Sequence, residues 1–281
     1  MPRRNGFRRL HCLVPGIAGL LLLPVPAMAG VVVTLGLAKA EFPVFTGTGG
    51  ICSTAPGAEC VYGTETFAGW GGGGFTSTFS TGAHAFPDGT SITGVYGGAI
   101  SHDTNNTYGG AYGTQPYPSA NGTSTYTLNL QGTGIPGINY FGVWITAMDP
   151  SNKLVLYSGG VPVFELVSSD LKAAIAQMPN ASAYYGNPDN GLDGGEPFAY
   201  VNFYDTNAFI DQVSFTNTGG TNFESSNQAV GYFNPLMVNG STVDVTTNQV
   251  PAPVAEPPSF ALVLIGMAGA MVALARRRAG G

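Results

Sequence analysis

Between Thr123 and Leu130 polar and apolar side chains alternate: Tyr126, Leu128 and Leu130 stand between Thr125, Thr127 and Asn129. A period of two puts each set on its own face of an extended chain, so this segment reads as a strand with one buried and one wet face. Asn139 to Thr146 is apolar on both faces, the pattern of a strand in the centre of a sandwich. Lys153 to Tyr157 and Val161 to Val167 flank Ser158-Gly159-Gly160, which reads as a hairpin turn. Pro162 lacks an amide donor near the start of its strand, a loss an edge strand tolerates.

The rest of the chain follows the same rhythm. Val31 to Val33, residues 90–100, Phe198 to Tyr204, Phe209 to Phe215 and Phe223 to Val230 read as further strands. Pro43 to Cys60 reads as loop, Trp70-Gly71-Gly72-Gly73-Gly74-Phe75 as a flexible connection, and Asp103 to Gly122 as a polar loop. One helix interrupts them. Ser168 or Ser169 can cap it, Asp170 suits its first turn, and Leu171, Ala174, Ile175 and Met178 share a face before Pro179-Asn180. The expected fold is all-β: an antiparallel β-sandwich, jelly-roll-like, with one short helix.

Both ends carry addresses. Arg3, Arg4, Arg8 and Arg9 precede an apolar run from Leu13 to Val25, and Ala27-Met28-Ala29 supplies the small residues that a signal peptidase accepts. General secretion fits the pattern better than the twin-arginine route. The organisation expected is a signal peptide over 1–29, a secreted β domain over 30–245, a Pro-rich linker with a sorting motif over 246–259, and a transmembrane segment with a basic tail over 260–281. Phe260 to Ala275 is uncharged, and as a helix it would span roughly 24 Å, slightly less than a bilayer core. Arg276, Arg277 and Arg278 close it and would stay cytoplasmic.

Charge narrows the partners. Between Gly30 and Val250 three lysines oppose fifteen carboxylates, a net charge of −12. Such a domain repels phosphate backbones, which argues against nucleic acid as a partner. Once the signal is cut, Cys52 and Cys60 are the remaining cysteines. A disulfide suits their short Pro- and Gly-containing loop and an oxidising compartment, while a zinc pair would need a histidine that is not nearby.

Val254-Ala255-Glu256-Pro257-Pro258-Ser259, the apolar segment with Gly266 and Gly269, and the arginine cluster together resemble the PEP-CTERM sorting signal. Ala255 stands where that family usually has its first proline. The resemblance implies processing by an exosortase in a Gram-negative envelope; the alternative for this tail is a permanent membrane anchor. Asn139 to Trp144, Asn152 to Tyr157, Ser169-Asp170-Leu171, Phe198 to Phe203 and Phe223 to Gly231 resemble exosortase-dependent surface proteins that carry a β domain before such a tail. That resemblance implies a surface or extracellular-matrix location and brings no catalytic residues.

Signals for chemistry are sparse. His84 and His102 stand in no metal-ligand spacing, and no nucleophile elbow or phosphate-binding loop is present. A non-enzymatic role is therefore expected, although a glycosidase could draw a carboxylate pair from among the fifteen without any linear signature. Asp189, Asp193 and Glu196 lie in a Gly-rich loop whose oxygens could wrap Ca²⁺; the alternative is an ordinary polar turn. Tyr108, Tyr112, Tyr117, Tyr184 and Tyr185 lie in polar segments, where exposed rings would suit extracellular polysaccharide; the alternative is that these rings pack down on the sandwich. A carbohydrate-binding surface module, calcium-assisted or not, is the second functional expectation.

Overall fold

A computed structural model describes residues 30–37, 59–79, 89–104, 108 and 116–234. The strands are β1 (Val31–Gly36), β2 (Glu59–Glu65), β3 (Phe75–Ser77), β4 (Ser91–Gly98), β5 (Ser101–Asp103), β6 (Tyr117–Asn121) and β7 (Ser124–Thr133). They continue with β8 (Tyr140–Thr146), β9 (Asn152–Ser158), β10 (Val161–Val167), β11 (Ala199–Asp205), β12 (Gln212–Asn217) and β13 (Asn222–Asn234), and one helix, α1 (Ser168–Ile175), follows β10. They form two antiparallel sheets. One runs β10-β9-β12-β7-β4-β3; the other runs β1-β11-β8-β13-β6-β5, with β2 also paired to β13.

The sheets pack face to face, because each turns one apolar parity inward. Phe141, Val143 and Ile145 of β8 and Val201 and Phe203 of β11 share a core with Tyr126, Leu128, Leu154, Leu156, Val213 and Phe215 of the other sheet. Phe164 and Phe203 meet edge to face at 5.5 Å, and Phe141 and Phe215 at 6.3 Å. This interface also buries a polar network. Gln228 accepts from Tyr96 Oη at 2.9 Å and donates to Tyr126 Oη at 3.3 Å and Ser225 Oγ at 3.2 Å. A buried amide costs little when its partners are in place.

The strand expectations from periodicity are met, and the hairpin is a tight one. Gly159 and Gly160 both have positive φ, 59° and 76°, as a primed turn requires. Strand β10 lies at the edge of its sheet, where a proline is tolerated, and its pairing with β9 is irregular between Pro162 and Phe164.

Four local readings are corrected. Within the stretch read as polar loop from Asp103 to Gly122, Tyr117–Asn121 is a paired strand, and Asp103 itself ends the paired strand Ser101–Asp103. Four consecutive residues of β6 are buried, so it shows no alternation to detect. The loop read to Cys60 ends earlier, since Cys60 already lies in β2. Trp70 is not in an open connection: it packs on Phe67 at 5.7 Å and Phe75 at 5.6 Å, and its Nε1 donates to Gly73 O at 3.1 Å. Neither serine caps α1. Val167 is the N-cap residue, and Ser168 Oγ donates instead to Met148 O at 2.6 Å, tying the helix to the end of β8.

The outer face of the seven-stranded sheet carries a second aromatic layer. Tyr140 of β8 stands opposite Tyr204 of β11, and Trp144 opposite Tyr200; all four are at most 1% exposed. Gly142 sits between them because a Cβ there would run into the Tyr140 and Tyr200 hydroxyls. Tyr140 Oη donates to Asn202 Oδ1 at 2.8 Å, and Tyr200 Oη to Asn227 O at 3.1 Å. Asn227 has φ 43° at the irregularity of β13, a left-handed position that asparagine tolerates.

Candidate functional site

At one end of the sandwich, three connections meet and their hydrogen bonds lock them together. The turn after β8 closes through Asn152 N to Asp149 O at 3.0 Å and Asp149 N to Asn152 Oδ1 at 2.8 Å. The turn between β12 and β13 docks on it: Thr218 N donates to Ser151 O at 3.0 Å, and Asn152 Nδ2 to Asn222 O at 3.0 Å. The third connection, residues 186–197, is held by Gly186 N to Glu196 O at 3.1 Å, Asn187 N to Leu192 O at 2.7 Å and Glu196 N to Asp193 O at 2.9 Å. Its base reaches the turn after β8 through Met148 N to Pro197 O at 3.4 Å. Asp193 turns this loop at φ 55°, where aspartate is among the few side chains accommodated.

These connections enclose a pocket of about 340 Å³ lined by Tyr108, Ala147, Asp149, Asp193, Glu196, Gly220, Thr221, Asn222 and Glu224. Four of those residues are acidic, and they come from three separate parts of the chain. Burial raises the Glu196 carboxyl to about 7, helped by the charges of Asp149 and Asp193 and a hydrogen bond with Asp149, while Lys172 of α1 opposes the shift. Burial likewise raises Glu224 to about 8, with Asp149 and Asp103 adding repulsion and hydrogen bonds from its own backbone and from Asn222 pulling the other way. Burial and the surrounding carboxylates push Tyr108 up as well. Carboxyl groups displaced this far toward neutrality in a cleft mark a site where ligand binding or proton transfer is chemically available.

The sequence candidates divide at this point. Asp193 and Glu196 line the pocket, but Asp189 is exposed and does not. Its amide caps a local turn on Asn187 Oδ1 at 2.9 Å. Among the described residues no group of three or more His, Cys, Asp or Glu is arranged to hold a metal ion. Of the loop tyrosines, two follow the alternative of packing down on the sandwich: Tyr117 is 1% and Tyr184 3% exposed, because the first lies in β6 and the second packs into the core. Tyr185 is half-buried against that core. Tyr108 packs on Trp144, Ala147, Phe198 and Tyr200 and borders the pocket. Tyr112 and His84 lie outside the described residues, and His102 is exposed on β5 with its ring 5.3 Å from Trp70.

No family model matches this chain. No curated protein and no solved structure matches it either.

Cys60 is disulfide-bonded. Cys52, Ala27 and Ala29, the motif from Val254 to Ser259, and Arg276 to Arg278 lie outside the described residues. Among the described residues no helix is long and apolar enough to cross a membrane. Asp149 and Glu224 are the acidic pocket residues that sequence reasoning missed, whereas Tyr108 was among the tyrosines it singled out. Glu224 carried one signal: it is an acid at the start of an otherwise uncharged strand. Such a residue is either at a solvated edge or in a built polar site, and here it is 2% exposed.

Proposed function

We propose that the chain is a non-enzymatic exported protein of the cell surface or extracellular matrix, sorted by an exosortase through its C-terminal signal. In this reading signal peptidase removes 1–29, residues 260–281 hold the chain in the inner membrane until sorting, and the sandwich, jelly-roll-like in plan, is the exported body. The tripartite tail, Glu256-Pro257 before an uncharged segment and three arginines, carries the proposal. The disulfide at Cys60 supports export, since such bonds persist in oxidising compartments. The test is the intact mass of protein recovered from the cell surface. Loss of Phe260 to Gly281 is the expected result; retention of Arg276, Arg277 and Arg278 would assign a permanent anchor instead.

The pocket favours a second reading, a carbohydrate-binding surface module, with calcium as a possible aid. Its size suits a small polar ligand, and Tyr108, Thr221 and Asn222 add a ring and neutral hydrogen-bonding groups beside the carboxyls. A screen of immobilised glycans against the full-length protein, with and without millimolar Ca²⁺, tests it. Saturable binding supports the module, and silence across the screen removes it.

A further inference from the structure

Among the described residues the pocket is rich in hydrogen-bond acceptors. Asp149, Asp193, Glu196 and Glu224 all line it, and Lys172 acts on the group through Glu196. Two oxygens at this place are buried and have no hydrogen-bond partner among the described residues: Asp193 Oδ2 and Thr146 Oγ1. Thr146 is 1% exposed and stands directly opposite Glu224 between β8 and β13. Directly opposed residues project from the same face, so the Thr146 hydroxyl leaves the sheet on the side of the pocket, next to Ala147 in its wall. Buried oxygens without donors are costly, and a ligand bearing several N–H groups would satisfy them.

We propose that this pocket binds the ammonium-bearing ring of a cationic amino sugar within a polysaccharide, an assignment that rests on the carbohydrate-binding reading. An ammonium group has three donors and no acceptor, which matches an acceptor-lined site. Its positive charge favours the ionised form of the carboxyls that burial holds toward neutrality, Glu196 and Glu224, and the acidic domain repels anionic polysaccharides. The sugar hydroxyls meet Thr221 and Asn222, and the Tyr108 ring offers an amphipathic surface for the sugar face. A volume of about 340 Å³ is that of a small-molecule pocket rather than of a single bare ion.

The test is titration calorimetry of the full-length protein in mild detergent at near-physiological salt. A glucosamine hexamer is compared with the same hexamer fully N-acetylated, which removes the charge and two of the three N–H donors and adds an acetyl group. The glucosamine form is expected to bind at least about tenfold more tightly, a difference of about 1.4 kcal/mol. Asp193→Asn and Glu224→Gln should each weaken it about tenfold, and Asp189→Asn, outside the pocket, should leave it unchanged. Asparagine is accepted at left-handed positions, so Asp193→Asn keeps the test decisive if Glu224→Gln folds poorly. Equal binding of the two hexamers would overturn the ammonium assignment while leaving the carbohydrate reading intact. Binding of neither would overturn both. Equal weakening by Asp189→Asn would reduce the effect to general charge attraction, and equally tight binding of lysine amide would show an ammonium site without sugar recognition; either overturns the proposal. Displacement of the hexamer by Ca²⁺ at equal concentration would assign the pocket to a hard cation instead and also overturn it.

Discussion

The two sheets solve different problems with the same chain. In the six-stranded sheet, β4 and β7 alternate buried and solvent-facing residues, and the outer face is dressed in short polar pairs. Thr125 and Thr216 share a hydroxyl hydrogen bond at 2.9 Å, Gln212 donates to Asn129 at 2.6 Å, and Lys153 lies 3.5 Å from Glu165. In the seven-stranded sheet, every residue of β8 and β11 is buried. Its outward parity is spent on large aromatics and on the polar groups around Asn202 and Glu224. A face left to water needs only hydrogen-bonding side chains and loses little when they change. A face that is itself buried must be packed and satisfied, and it is there that a site with displaced carboxyl groups can be built.

The largest test of that difference is Trp144→Ala. Removing a side chain that is 1% exposed on the outer face of the seven-stranded sheet should cost about 3–5 kcal/mol, read from the urea midpoint. A loss below about 1 kcal/mol would show that this face is not a packed layer at all.

Cys60→Ser comes next. Strand β2 joins the sheet through β13, and the disulfide at Cys60 ties it to the chain before it. If Cys52 is the partner, the short loop gives up to about 3 kcal/mol in the chain-entropy model. Thiol labelling of Cys60→Ser should then find Cys52 reactive, and an unreactive Cys52 would refute that pairing.

The third effect is pH-dependent. Folding raises the Glu224 carboxyl from its usual 4.5 to about 8, so the folded state favours the protonated form. That contribution to stability is full below about pH 4.5 and is lost as the pH rises through about 8, because the unfolded chain releases the proton more readily. Glu224→Gln, neutral at every pH, should therefore be nearly as stable as the wild type at pH 4.5 and gain on it as the pH rises, by up to a few kcal/mol at pH 9. Denaturant midpoints at the two pH values decide this, and a gain that does not grow with pH would contradict the assignment.

The smallest effect belongs to the other sheet. Val95 is 50% exposed on β4, and Val95→Thr should change stability by less than about 0.5 kcal/mol. A loss comparable with that of Trp144→Ala would erase the contrast between the two faces.

Alternation in Tyr126, Leu128 and Leu130, apolarity on both faces from Tyr140 to Thr146, and the glycine pair at 159 and 160 determined strand type, burial and one turn directly. The reason is local: backbone period and positive φ are set by neighbours in the chain. Strand β6 was hidden because its burial comes from β13 and the sheet around it, with no alternation of its own, and β5 because three residues are too few to show a period. The charge of the domain was also legible, but its arrangement was not. Asp189, Asp193 and Glu196 are neighbours in sequence, yet the pocket takes only the last two and adds Asp149 and Glu224 from either side of the antiparallel β8–β13 pairing. That pairing joins residues far apart in the chain, and the desolvation that raises Glu196 and Glu224 exists only once it has formed. The sequence by itself thus determined which segments are strands and which sides are apolar; the tertiary structure alone decided which carboxyls meet, because like charges are brought together only when the burial of the two sheets outweighs their repulsion.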